Sequence, residues 1–155
     1  MSRGYYGLAF YEPKTPGNFG AAMRSAHCFG ASFIALIGGR YARQPADTTY
    51  AERHVPLFQF SDIDAFLKAT PRLGTLVGLE VDAADDLRTF DHPERAIYLL
   101  GGEDRTLPTG LPGARVRIDT PLCLNMAVAA SIILYDRSLK RRRTERHTPH
   151  VQLAA

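Results

Sequence analysis

Five short apolar runs, Tyr6–Tyr11, Ser32–Ile37, Leu57–Phe60, Thr75–Leu79 and Ala96–Leu100, separated by loop and helix signals, constrain this chain most. Runs of that length bounded by turn residues read as strands buried on both faces. Arg115–Ile118 reads as a sixth strand. Between them lie helix signals. Asn18 is a good N-cap for a helix over Phe19–Phe29, and Gly30 a good stop. Ser61 suits the start of a helix reaching about Lys68, with Asp64 in its first turn. Leu124–Leu139 reads as the last helix. Strands alternating with helices predict an α/β fold, a mainly parallel sheet sandwiched by helices.

A length of 155 residues fits one domain, expected over residues 1–140, followed by a basic, flexible tail over 141–155. From Arg137 onward six of the 19 Lys and Arg residues stand with one of the 16 acids, so this end carries +5. The remaining 13 bases and 15 acids leave the body at −2. A basic cluster on a near-neutral body suits a polyanion, and Arg141, Arg142 and Arg143 are its centre. No run approaches the roughly 20 apolar residues of a membrane span. The start, MSRGYYGLAFYEP, lacks the pattern of a signal peptide. A cytoplasmic protein without membrane or metal partners is expected. The two cysteines, Cys28 and Cys123, lack metal-ligand spacing, and Cys28 reads as a small buried apolar side chain.

The last helix is apolar nearly all round. Leu124, Val128, Ile132, Tyr135 and Leu139 form one stripe, while Met126, Ala127, Ala130, Ile133 and Leu134 cover much of the rest. Such a helix is buried on more than one side, and a second subunit is the expected second surface.

In open parallel sheets ligands bind beyond the carboxyl ends of the strands. Three loops there carry chemistry. In Pro16-Gly17-Asn18-Phe19-Gly20, a helix N-terminus offers N–H groups to an anion, and Arg24, one turn on from Gly20, adds a fixed cation. In Leu99-Leu100-Gly101-Gly102-Glu103, a double glycine exposes backbone to a flat ligand, with Glu103 and Arg105 close by. In the loop Ile118–Ala127, Asn125 opens the last helix and either caps it or binds cofactor or substrate. No dinucleotide or phosphate-loop glycine motif is present, which argues against an ordinary nucleotide-binding fold.

Together the loops resemble the TrmH-type branch of the SPOUT RNA methyltransferases. Pro16, Asn18, Gly20 and Arg24 match the family's P-x-N-x-G-x-x-x-R; Gly101, Glu103, Leu107 and Pro108 match its second motif. Cys123-Leu124-Asn125-Met126-Ala127 stands where the family has S-[LM]-N-[LV]-S, so two serines are replaced, and Thr106 replaces a glycine. The opening Leu8-Ala9-Phe10-Tyr11-Glu12-Pro13 looks most like the short members that methylate the ribose of the tRNA wobble nucleotide.

The resemblance implies a C-terminal deep trefoil knot, an exception to the rule against threading. It implies S-adenosyl-L-methionine as cofactor, held near Leu79, Gly101, Gly102, Ile118, Cys123 and Leu124, and a homodimer. It implies 2'-O-methylation of RNA, with tRNA ahead of ribosomal RNA. Arg24, Asn18, Glu103 and Asn125 would form the catalytic set, and Arg24 with Arg141–Arg143 would hold RNA. A SPOUT protein that binds RNA or S-adenosylmethionine with little catalysis is the alternative, kept open by Cys123 and Ala127.

Overall fold

The computed structural model describes residues 4–42, 50–102 and 105–147. Seven strands form one sheet: β1 (Tyr6–Tyr11), β2 (Phe33–Ile37), β3 (Leu57–Phe60), β4 (Thr75–Leu79), β5 (Asp85–Asp86), β6 (Ala96–Gly101) and β7 (Ala114–Arg117). Their order is β3-β2-β1-β6-β4-β7-β5, and every pairing is parallel. Three helices, α1 (Pro16–Phe29), α2 (Ile63–Leu73) and α3 (Met126–His147), cover the faces. A 3₁₀ turn spans Ala51–Arg53. Among the described residues no helix is long and apolar enough to cross a membrane.

Side chains alternate across the sheet as the period of two requires. Leu8, Phe10, Ile34, Leu36, Tyr98 and Leu100 face α1 and α3. Ala9, Phe33, Ala35, Ile37, Ile97 and Leu99 face Phe66 of α2. Gly7 is required on β1 because a Cβ there would stand 2.3 Å from the Phe33 ring.

Where the structure departs from the sequence reading, local chemistry explains it. The cap residue of α1 is Thr15, not Asn18. Pro16 fits the first helical position, where its missing N–H costs nothing, so the helix begins earlier and Asn18 lies in its first turn. Gly30 does close α1, at φ 76°. Asp62, one residue past Ser61, caps α2 by accepting from the Ala65 N–H at 2.8 Å. Cys28 is exposed, not buried: the core stripe of α1 is Phe19, Ala22, Met23 and Ala26, and Cys28 lies on its far side. β5 was invisible because two aspartates carry no apolar pattern.

The last helix runs past Leu139 to His147, so the boundary expected at residue 140 falls inside α3. Lys, Arg and Glu there are good helix formers, and cations suit a helix C-terminus. Its two stripes have different fates. Ala130, Ile133 and Leu134 are fully buried, whereas Val128, Tyr135 and Leu139 are 47%, 59% and 37% exposed.

Candidate active site

The carboxyl ends of β4, β6 and β7 open into a cavity of about 440 Å3. All six residues expected to hold a cofactor, Leu79, Gly101, Gly102, Ile118, Cys123 and Leu124, line it. They come from three separate stretches of chain. The strands bring Leu79, Gly101 and Ile118 side by side, and the loop into α3 folds Cys123 and Leu124 over them.

The double glycine permits contact between loops. The Gly102 N–H donates to the Tyr11 carbonyl at 2.7 Å, and a Cβ on Gly102 would stand 2.3 Å from the Glu12 carbonyl oxygen. A Cβ on Gly101 would meet the Arg105 carbonyl at 2.5 Å. Glycine is therefore needed here for chain against chain, as well as for any ligand. Glu12 adopts φ 46°, unusual for a residue with a side chain. Arg105 Nε stands 3.2 Å from Glu12 Oε2, an ion pair whose geometry falls short of a hydrogen bond. Both residues are part exposed, so its stabilisation is small.

The first and third motifs meet through their asparagines. Asn125 Nδ2 donates to Asn18 Oδ1 at 2.9 Å. Asn125 Oδ1 accepts from the backbone N–H of Ala127 at 2.9 Å and of Val128 at 3.4 Å, capping α3. One amide thus starts α3 and ties it to α1. Of its chain neighbours, Leu124 and Met126 line the cavity, which puts Asn125 at the rim. Arg24 is exposed on α1 and is not among the cavity-lining residues; Gly20, one turn earlier, is buried. Next to Arg24, Ser25 Oγ lies 2.8 Å from Ser131 Oγ, a second tie between α1 and α3. Glu103 lies outside the described residues, as do the side chains of Arg142 and Arg143. Arg141 donates to the Glu94 carbonyl at 3.1 Å.

Two features escaped the sequence reading. Glu80 and Asp82, just past β4, line the cavity, and Glu80 is ion-paired with Arg115 of β7. Their position at a strand's carboxyl end was the available signal. The second is a buried polar chain that pins the far half of α3. Arg137, 1% exposed, donates to the carbonyls of Pro93 and Glu94 at 2.7 and 2.8 Å and to Tyr98 Oη at 2.9 Å. The Tyr98 hydroxyl lies 2.7 Å from His92 Nδ1, and His92 Nε2 lies 2.8 Å from Asp136 Oδ2. Asp136 cannot donate, so the neutral imidazole carries its proton on Nε2 and accepts from Tyr98. Lys140 Nζ closes the chain at 2.7 Å from Asp136. Burial pushes the Tyr98 hydroxyl up to about 12 and the His92 imidazole below its usual value, the latter against the pull of Asp136. Among the described residues no group of three or more His, Cys, Asp or Glu could hold a metal ion.

Solved structures share this architecture. An AdoMet-bound rRNA methyltransferase from Sinorhizobium meliloti matches 89% of the chain with a TM-score of 0.77 and 26% identity. The SpoU methyltransferase AviRb from Streptomyces viridochromogenes, in complex with AdoMet, matches 92% with a TM-score of 0.79 and 26% identity. The chain spans 57% and 63% of those two proteins. A structure described in terms of 2-OH methylation of C/U34 on tRNA matches 92% of this chain and 99% of its own length, with a TM-score of 0.77 and 25% identity. No curated protein sequence matches the chain. The model of the SpoU rRNA methylase family matches residues 6–135, and the chain belongs to that family.

Proposed function

We propose that this chain methylates a ribose 2'-hydroxyl of RNA with S-adenosyl-L-methionine as donor, and that its substrate is tRNA. The observation that carries this reading is the convergence of three distant stretches, 79–82, 100–107 and 118–124, around one cavity. The cavity suits the cofactor: about 440 Å3 is within the roughly 300–1,000 Å3 of small-molecule sites, and apolar residues such as Leu79, Leu100, Ile118 and Leu124 line it beside the carboxylates of Glu80 and Asp82. Leu79, Gly101, Gly102, Ile118, Cys123 and Leu124 would hold it. When bound, S-adenosylmethionine supplies an electrophilic methyl group.

The chain's own residues position the acceptor. Arg24 orients the ribose and its phosphate, because a guanidinium is a fork of donors and a poor base. Asn18 and Asn125 fix the rim on which the sugar would rest, with Glu103 shaping the same edge. Holding the hydroxyl oxygen in line with the methyl group is the main contribution such a site makes. The stripe of Val128, Tyr135 and Leu139 is the surface on which we seat a second copy, giving a cytoplasmic homodimer with a knotted C-terminal segment. Arg141, Arg142 and Arg143 would add salt-sensitive attraction for phosphates. The tRNA preference is supported by the likeness to the C/U34-related structure, at a TM-score of 0.77 and 25% identity, and by the opening Leu8–Pro13.

The test is labelled methyl transfer to tRNA and to ribosomal RNA, with cofactor affinity by calorimetry. Arg24→Ala should lower transfer to tRNA by about 100-fold or more while changing the cofactor Kd less than about 2-fold. Loss of cofactor binding with transfer would overturn the role of Arg24. Transfer confined to ribosomal RNA would overturn the substrate.

A further inference from the structure

We infer that Glu80 recognises the ribose cis-diol of the cofactor, acting as a sugar-specificity residue. The inference rests on the cofactor reading above and goes beyond it to one side chain. Glu80 follows β4 directly, and its N–H donates to the Val116 carbonyl at 3.1 Å, so the sheet fixes its backbone. Its side chain is 10% exposed and lines the cavity. A carboxylate in such a place is costly unless its charge is met. Arg115 meets it at Oε2 and is itself steadied by donating to the Pro108 carbonyl at 3.2 Å.

What remains is an acceptor without a net charge to offer. A carboxylate has about four lone-pair sites, and among the described residues Arg115 is the one side-chain donor to this one. A cation gains little from a charge already neutralised. Two adjacent neutral hydroxyls gain directional bonds, and the cis-diol of a ribose presents two O–H donors side by side. Leu79, which precedes Glu80, and Leu100, Ile118 and Leu124 form an apolar slot for a base. A sugar attached to a base in that slot meets Glu80 next. Asp82, exposed in the same lining, is the carboxylate free to attract cationic parts of a ligand.

The experiment is calorimetry on the full chain with S-adenosylhomocysteine and with its 2'-deoxy and 3'-deoxy analogues. A hydrogen bond to a charged group corresponds to roughly a tenfold or larger change in Kd. Wild type should therefore prefer the parent ligand over each analogue by about tenfold or more. Glu80→Ala should reduce that preference below about 2-fold, and Glu80→Gln, which keeps one acceptor oxygen, should fall between. Wild type binding all three ligands equally would overturn the role of Glu80 and leave the cofactor reading intact, as would an undiminished preference in Glu80→Ala. Failure of wild type to bind the parent ligand at high micromolar concentration would remove the cofactor reading as well. If Glu80→Ala unfolds, Glu80→Gln decides the matter: a preference equal to that of wild type would overturn the role.

Discussion

Replacing Arg137 by methionine should cost about 3 kcal/mol of stability although it introduces a well-shaped apolar side chain. Three acceptors lose a donor, the Pro93 and Glu94 carbonyls and Tyr98 Oη, although the Glu94 carbonyl keeps the one from Arg141. The Arg137 guanidinium also lies over the Tyr6 ring at 4.8 Å. Hydrogen bonds from a charged donor contribute about 1.5–3 kcal/mol each, and breaking a buried charged cluster costs about 3–5 kcal/mol. Two effects pull toward the lower end: methionine removes the desolvation cost of the guanidinium, and Arg137 Nε is already buried without a partner. Urea unfolding followed by circular dichroism, at fixed protein concentration, measures the loss. In a chain of this size it corresponds to a fall in melting temperature of about 6–12 °C. Arg137→Lys keeps the charge but loses the fork, and should fall between the two. A loss below about 1 kcal/mol for Arg137→Met would show that the guanidinium merely fills space, and the pinning of α3 to residues 93–98 would have to be abandoned.

Two further perturbations probe the same helix. Asn125→Ala removes the α3 cap and the donor to Asn18; because the site is exposed, the expected cost is about 1–2 kcal/mol by thermal unfolding, and an unchanged melting temperature would refute the clamp. His92 is held neutral by burial, so its folded pKa lies below the unfolded value of about 6.5. Below that pH the unfolded chain takes up a proton that the folded chain resists, and stability falls as pH falls. As pH falls below about 6.5 wild type should lose more stability than His92→Gln; parallel stability curves for the two would contradict this.

Much of the fold was legible because parallel strands buried on both faces are written as short apolar runs. Tyr6–Tyr11, Leu57–Phe60 and Thr75–Leu79 carry turn residues at both ends, and β1, β3 and β4 begin and stop there. Helix ends were harder, since they depend on which of several adjacent polar residues is free to cap. Asn18 looks like a cap in isolation, but Pro16 starts the helix first and releases the asparagine for a contact with a residue 107 positions away. No local pattern encodes that distance. The cavity lining was legible through the glycines and the loop into α3. Glu80 was not, because one acid after a strand is ordinary, and its burial depends on Arg115 arriving from another strand.

The polar contacts along α3 have a common physical reason. The inward face of this helix is built partly from small residues, Ala127 and Ala130 beside Ile133 and Leu134. Apolar burial drives the helix onto the sheet but is not directional, and a small-residue face offers few knobs to stop it sliding or rotating. Directional bonds supply what burial lacks. At one end Asn125 fixes where the helix starts relative to α1; at the other Arg137, Asp136 and Lys140 fix its rotation against residues 87–98. Met126 and Ala129 of α3 line the cavity between those clamps. The shape of the cavity therefore depends on polar residues of which several never face it, and a stripe of Val128, Tyr135 and Leu139 is held outward in a fixed orientation, as an interface with a second copy would require.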